Sequence, residues 1–123
     1  MLKDKAVENL AAGDLLLERG HINAAASRYY YAMYQAAVRS LTLLEFRPGG
    51  IRSGAVDWDH SMVENNVMQC RKEWRDRVLY MQLRRLRSRA DYGDEPVLRV
   101  EIEERRDAIR QFVKEVASWT TRG

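Results

Sequence analysis

The stretch SRYYYAMYQAA, residues 27–37, holds four of the chain's six tyrosines and sets them among alanines. Apolar positions around it, from Ile22 to Leu44, recur every three or four residues, which predicts a helix of roughly six turns. Two interpretations of the tyrosines stay open: packing in the core of a helical bundle, or a polar surface that stacks bases or handles phosphate. A buried tyrosine hydroxyl without a partner costs about 1–3 kcal/mol, so four neighbouring hydroxyls indicate a polar seam, an interface or a cleft.

Apolar positions at helical spacing continue before this stretch. A first helix begins near Leu2 and is expected to end at Gly20, with Asn23 as the N-cap of the tyrosine-bearing helix. After that helix, Pro48 and three glycines over residues 46–57 predict a loop.

Three further helices are predicted beyond the loop. Ser61-x-x-Glu64 fits a capping box, with Asp57 or Asp59 as alternative caps, and a short helix follows to about residue 72. A longer helix runs from about Trp74 to Gly93, and Pro96 is placed in the first turn of the last helix, where proline is tolerated. No window alternates with a period of two, so no strand is expected. The sequence predicts an all-α, up-and-down four-helix bundle with an additional short helix, in a single domain of residues 1–123.

Composition limits the chemistry that this chain can carry. No apolar run approaches the roughly 20 residues of a membrane span, and the N-terminal segment lacks the apolar region of a signal peptide. The single cysteine, Cys70, excludes an internal disulfide, and the two histidines, His21 and His60, are too few for a Cys/His zinc site. We expect a reduced, cytoplasmic protein with no membrane, no metal and no cofactor.

Arginine is concentrated between residues 71 and 89. This segment holds eight basic residues and two acidic ones, although the whole chain carries a formal charge of only +3. Seven of the eight are arginine, whose planar guanidinium can bind phosphate through two hydrogen bonds. The candidates for nucleic-acid contacts are Arg84, Arg85 and Arg89, with Arg28 from the tyrosine-bearing helix. The alternative is a solvated face that pairs with acids elsewhere, such as those at 101, 103 and 104.

The most specific candidate site lies at the end of this segment, in LRRLRSRADYGDEP, residues 83–96. Arg87 and Asp91 are four residues apart and therefore share a helix face. Tyr92 follows at the expected helix end, before Gly93. Arg87, Asp91 and Tyr92 are the candidate catalytic residues. An ordinary ion pair beside a helix-end tyrosine would give the same pattern.

At three places the chain resembles the HEPN domains (higher eukaryotes and prokaryotes nucleotide-binding). The tyrosine-bearing helix is similar to the family's Ala-Ser-Arg-x-Tyr-Tyr-Ala-x-Phe/Tyr-x-Ala-Ala signature. The matching residues are Ala26, Ser27, Arg28, Tyr30, Tyr31, Ala32, Tyr34, Ala36 and Ala37. Residues 59–63, DHSMV, resemble the His-Ser segment that opens the family's next helix, and Arg87-x-x-Ala90-Asp91-Tyr92 resembles its functional segment.

This resemblance implies a small helical bundle that forms a homodimer. Many HEPN domains act beside a minimal nucleotidyltransferase, and several such pairs are toxin–antitoxin systems. Active members are metal-independent endoribonucleases, in which an arginine and, four to six residues later, a histidine meet at the dimer interface. Histidine can take the proton of a ribose 2′-hydroxyl, and arginine can stabilise the charge that builds on the phosphate.

The chain departs from that motif at position 92, where tyrosine replaces histidine. A phenol with a pKa near 10 is ionised in only about one molecule in a thousand at pH 7, so it is a poor general base. Two functions therefore stay open: a catalytically weak HEPN protein that binds nucleotide or RNA as the partner of a nucleotidyltransferase, and an active endoribonuclease toxin.

For Tyr92 itself two roles stay open as well. In related pairs, a tyrosine near this motif receives a nucleotide from the nucleotidyltransferase, which makes Tyr92 a candidate for modification or for contact with phosphate. The other role is a structural cap packed under the last helix.

Overall fold

The computed structural model describes residues 2–43, 63–64, 74–93 and 95–118. Most of these residues lie in four helices: α1 (Leu2–Glu18), α2 (Ile22–Leu43), α3 (Trp74–Tyr92) and α4 (Arg99–Ala117). No strand occurs within those ranges. The predicted all-α bundle is confirmed.

Side-chain contacts give the direction of each helix. Residues 14 and 9 of α1 contact residues 29 and 35 of α2, so these two helices are antiparallel. Residues 27 and 31 of α2 contact 91 and 87 of α3, and residues 82 and 89 of α3 contact 105 and 101 of α4. Each of the three pairs runs in opposite directions, which makes the four helices an up-and-down bundle.

Helix α2 occupies the centre of this arrangement and packs against the other three helices. Half of its residues are buried, among them the alanines at 25, 26, 32, 36 and 37. These small side chains bring the neighbouring backbones close, and the large rings of Tyr29 and Tyr30 fill the remaining volume with no exposed surface. The last apolar layer comes from Ile102, Ile109 and Phe112 of α4, which are also fully buried.

Two helix starts differ from the sequence-based expectation. Helix α2 already includes Ile22, and the N–H of Ala25 bonds to the carbonyl of His21, so Asn23 lies inside the first turn and is not its cap. Helix α4 begins at Arg99 with Leu98 as its N-cap, whereas a start at Pro96 was predicted. The Glu101 carboxylate accepts a hydrogen bond of 2.9 Å from the Leu98 N–H, which fixes the start there.

The end of α1 near Gly20 agrees with the prediction from the sequence. Gly20 has a φ of +80°, a left-handed conformation that glycine adopts without strain, and its N–H bonds to the carbonyl of Leu17.

The predicted loop over 46–57 lies outside the described residues, and so does most of the additional short helix. Val63 and Glu64, the part of it that is described, have helical backbone.

No helix in the described part of the chain combines the length and the apolar character that a membrane crossing requires.

Candidate nucleic-acid interface

Arg87 is the centre of a polar cluster between α2 and α3. Its Nη2 donates a hydrogen bond of 3.0 Å to the hydroxyl of Tyr31, and its Nε lies 3.0 Å from Asp91 Oδ2. The side chain is only 19% exposed, and its guanidinium carbon lies 5.4 Å from the centroid of the Tyr31 ring. The ion pair with Asp91 is the one that ordinary helix structure was expected to give, and together these contacts hold the guanidinium in one orientation.

Asp91 is fixed from a second side by α2. The hydroxyl of Ser27 donates 3.0 Å to Asp91 Oδ1, while Oδ2 faces Arg87. Both carboxylate oxygens are therefore engaged with the protein. This arrangement leaves Asp91 as a positioning group for Arg87 and ties the last turn of α3 to the first turns of α2.

Tyr92 is the last residue of α3 and is 79% exposed. The Arg87 guanidinium carbon lies over its ring, 5.9 Å from the centroid, which is within the range of a cation–π contact. A structural cap packed under the last helix would be buried, so this alternative is wrong for Tyr92. The exposed helix end that the sequence predicted is present.

The backbone of Gly93, just after α3, lies close to the last turn of that helix. Its N–H bonds to the carbonyl of Arg89 at 2.9 Å, and a Cβ at this position would lie 2.8 Å from that same oxygen. Because a real Cβ cannot approach backbone oxygen so closely, a larger residue would displace the end of α3 on which Tyr92 stands.

The four arginines predicted to contact nucleic acid lie in different surroundings. Arg84 forms an ion pair of 2.6 Å with Glu64, and Arg89 forms one with Glu101 that joins α3 to α4. Arg85 is exposed and forms no ion pair with any residue that the structure describes. Arg28 is also exposed but turns to α1, where its Nη1 lies 3.3 Å from Asn9 Oδ1.

The contacts of these arginines agree in part with each interpretation of the sequence: Arg84 and Arg89 pair with acids, as a charge-paired face would, and Arg85 stays exposed, as a phosphate contact would. Glu101 does accept an arginine, as the interpretation of a solvated, charge-paired face predicted, and the N–H of Leu98 together with Arg89 holds the pKa of its carboxyl below the usual range. Two other candidate acids, Glu103 and Glu104, pair with Arg99 and Arg105 of their own helix. Among Arg84, Arg85 and Arg89, the α3 arginines predicted to contact nucleic acid, Arg85 has no carboxylate partner in the described residues.

A concave surface of about 380 Å³ lies beside these arginines. It is lined by Glu64, Met81, Arg84, Arg85 and Ser88. Two cations, one carboxylate and a hydroxyl on one open surface suit a polar, anionic ligand better than an apolar one.

The tyrosines of residues 27–37 divide between core and polar seam. The hydroxyls of Tyr30 and Tyr80 lie 3.0 Å apart in the core between α2 and α3. Burial raises the pKa of Tyr30 to about 12, although the hydrogen bond with Tyr80 opposes that shift. Burial likewise raises the pKa of Tyr80 far above its ordinary value. Tyr31, half-buried, supplies the hydroxyl that accepts from Arg87.

Tyr29 belongs to a separate clasp that joins three helices. Its hydroxyl donates to Asp14 Oδ1 on α1, and Asp14 Oδ2 accepts a hydrogen bond of 2.7 Å from Arg110 Nη2 on α4. Burial raises the pKa of Tyr29, and the hydrogen bond to the negative Asp14 raises it further. We call these three side chains the Asp14 clasp.

Sequence reasoning missed three residues that complete the cluster around Arg87 and Arg84. Ser27 and Tyr31 stood within the quoted tyrosine-rich stretch, but nothing in their spacing indicated that they would contact Asp91 and Arg87, 64 and 56 positions away. The capping box that Ser61 and Glu64 were predicted to form involves a residue outside the described ranges, and spacing gave no sign that Glu64 would pair with Arg84.

No group of three or more histidine, cysteine, aspartate or glutamate side chains within the described ranges could hold a metal ion. Cys70 and His60 lie outside those ranges.

Comparison of the chain with protein-family models, with curated proteins and with solved structures finds no match.

Proposed function

We propose that this chain is a HEPN-type protein that binds nucleotide or RNA and acts as the partner of a minimal nucleotidyltransferase, in a pair of the toxin–antitoxin kind. The observation that carries the proposal is the Arg87–Asp91–Tyr92 group at the open end of α3. Arg87 is held by Tyr31 and Asp91, and Tyr92 stands beside it with 79% of its surface exposed. A homodimer is part of the same proposal, and sedimentation at tens of micromolar checks it.

An exposed phenol at a helix end is accessible to a second enzyme. In the proposed modification, Tyr92 Oη attacks the α-phosphorus of ATP held by the nucleotidyltransferase. A phosphorus–oxygen bond forms, pyrophosphate leaves, and the phenolic proton passes to a base of the transferase or to water. The attached AMP then places a negative phosphate beside Arg87, where it competes with the phosphates of RNA.

The same geometry argues for weak hydrolytic activity. Both carboxylate oxygens of Asp91 are engaged by Ser27 and Arg87, and position 92 carries a phenol where the motif has an imidazole. A positioned general base is worth about 10²- to 10⁴-fold in rate, and no described residue of the cluster supplies an imidazole for that role. RNA cleavage that depends on Arg87 would instead favour the alternative, an endoribonuclease toxin.

The test combines modification, binding and cleavage on one set of variants. Incubation with the minimal nucleotidyltransferase of the proposed pair and with ATP is expected to add one AMP to Tyr92, detected by mass spectrometry of the tryptic peptide. Tyr92→Phe, which lacks only the hydroxyl, is the matched control and should remain unmodified. Labelled RNA and ATP are titrated in parallel, with Arg87→Lys and Arg87→Ala as variants.

Unmodified Tyr92, together with the absence of binding to either RNA or nucleotide, would overturn the proposal. Circular dichroism of both Arg87 variants separates a lost site from a lost fold.

A further inference from the structure

Three residues of α3 form a continuous exposed ridge. Arg85, Ser88 and Tyr92 are three and four residues apart, so they lie on one face of the helix, and all three are exposed. We call them the α3 ridge. Arg85 and Tyr92 are separated by two turns, which places their backbones roughly 10 Å apart along the helix axis.

The charge on this ridge is available to a ligand. Arg84, Arg87 and Arg89 each face a carboxylate within the protein, so a phosphate that binds one of them has to compete with Glu64, Asp91 or Glu101. Arg85 has no such competitor within the described residues and borders the concave surface that Arg84 and Ser88 also line. A phosphate at Arg85 gains an ion pair without breaking one.

The aromatic end of the ridge offers a stacking surface. Tyr92 is the most exposed of the large apolar side chains in the described ranges, and the Arg87 guanidinium lies over one face of its ring. Arg87 is itself held by Tyr31 and Asp91, so the ring is supported by a group that does not have to be ordered when a ligand binds. Every nucleobase has a π-face that can stack on such a ring, and the phenolic hydroxyl takes no part in that contact.

We infer that the α3 ridge binds a single-stranded nucleic acid, with a base stacked on Tyr92 and a neighbouring phosphate on Arg85. The inference rests on the proposed function, under which the single-stranded ligand is RNA. It assigns Tyr92 a role for its ring that is distinct from the role of its hydroxyl in modification. A duplex is disfavoured because its bases are already stacked on each other and cannot reach the ring.

The experiment measures binding of fluorescein-labelled single-stranded RNA, single-stranded DNA and duplex RNA of equal length by anisotropy, over a series of salt concentrations. Tyr92→Ala is expected to weaken binding of the single strand about five- to a hundredfold, whereas Tyr92→Phe, which keeps the ring, should bind like the wild type. Arg85→Gln should reduce the slope of log affinity against log salt by about 0.7, the value of one phosphate contact on a single strand.

The matched control for the loss of one charge is Lys114→Gln, an exposed residue near the C-terminal end of α4, away from the ridge. It should leave the affinity within twofold of the wild type. Equal binding of both single strands supports the inference. Tighter binding of RNA than of DNA supports it as well and shows a further contact with the 2′-hydroxyl.

Three outcomes overturn the inference while the proposed function stands: equal affinity for duplex and single strand, no effect of Tyr92→Ala and Arg85→Gln, or a loss in Tyr92→Phe as large as in Tyr92→Ala. Absence of binding to every oligonucleotide overturns the inference and removes RNA from the proposed function, which would then depend on nucleotide binding and on modification of Tyr92.

Discussion

Burial divides five of the six tyrosines into two chemically different groups. Tyr29, Tyr30 and Tyr80 have no exposed surface, and each hydroxyl has a partner inside the protein. Tyr31 is half-buried and places its hydroxyl against Arg87, whereas Tyr92 is largely exposed. The first group stabilises the fold and resists ionisation, and the second belongs to the candidate site.

The buried phenols predict a loss of stability in alkali. Because burial raises the pKa of Tyr30 to about 12, the folded state keeps its proton when the unfolded chain, with a pKa near 10, has already lost it. The stabilisation is present below pH 10 and is lost as the pH rises towards 12, by up to about 1.4 kcal/mol per pH unit for each such phenol. Urea unfolding between pH 7 and 11 measures it.

The double variant Tyr30→Phe/Tyr80→Phe removes two of these phenols and should show a shallower decline above pH 10. Tyr30→Phe alone leaves the Tyr80 hydroxyl buried without its partner, which costs about 1–3 kcal/mol at neutral pH. Tyr92→Phe, which removes an exposed hydroxyl and no buried one, is the control for the substitution itself. An unchanged alkaline decline in the double variant would show that these phenols do not govern it.

At the scale of elements, the packing of each helix against its neighbours decides which of its side chains are buried and which are exposed. Helix α3 buries Leu79, Leu83 and Leu86 against the core, turns Arg87 and Asp91 towards α2, and leaves the α3 ridge outward. Helices α1 and α2 approach closely at Gly13, whose missing Cβ leaves room for the Tyr29 ring. The site on α3 therefore depends on the packing that fixes α2.

Gly13→Ala is expected to destabilise the protein by about 1 kcal/mol. Alanine should gain about 1 kcal/mol from helix propensity, but its Cβ would lie 3.0 Å from Tyr29 Cδ1. That ring is fully buried and bonded to Asp14, so it cannot move without breaking the contact, and overpacking costs about 1–3 kcal/mol. Thermal unfolding measures the difference, with the exposed Ala11→Gly as the calibration of propensity. A Gly13→Ala variant more stable than the wild type would contradict the close approach.

For the whole molecule, the sequence predicts local features better than contacts between helices. The helical periodicity of α2 and α3 is a local property, so their existence and the Arg87–Asp91 pair follow from spacing alone. The start of α4 does not, because proline is compatible with a first helical turn but does not require one. The Glu101 carboxylate, which bonds to the Leu98 N–H, decides the position instead.

The candidate site was only partly predictable for a similar physical reason. Its motif residues are neighbours in sequence, but the residues that orient them come from α2, and only the packed bundle brings Ser27 to Asp91 and Tyr31 to Arg87. Spacing also gives no measure of burial, so it could not distinguish the fully buried Tyr29 and Tyr30 from the half-buried Tyr31 beside them.

The Asp14 clasp also has a consequence for the order of folding. Asp14 and Tyr29 are 15 positions apart, but Asp14 and Arg110 are 96 apart. The length-dependent part of the loop-closure entropy is about 2.4 kcal/mol for the first contact and about 4 kcal/mol for the second in an otherwise unstructured chain. The α1–α2 hairpin is therefore expected to form early, with α4 docking onto it after the transition state. In stopped-flow measurements, Arg110→Met should speed unfolding and leave the folding rate nearly unchanged, and a slowed folding rate would place α4 in the nucleus.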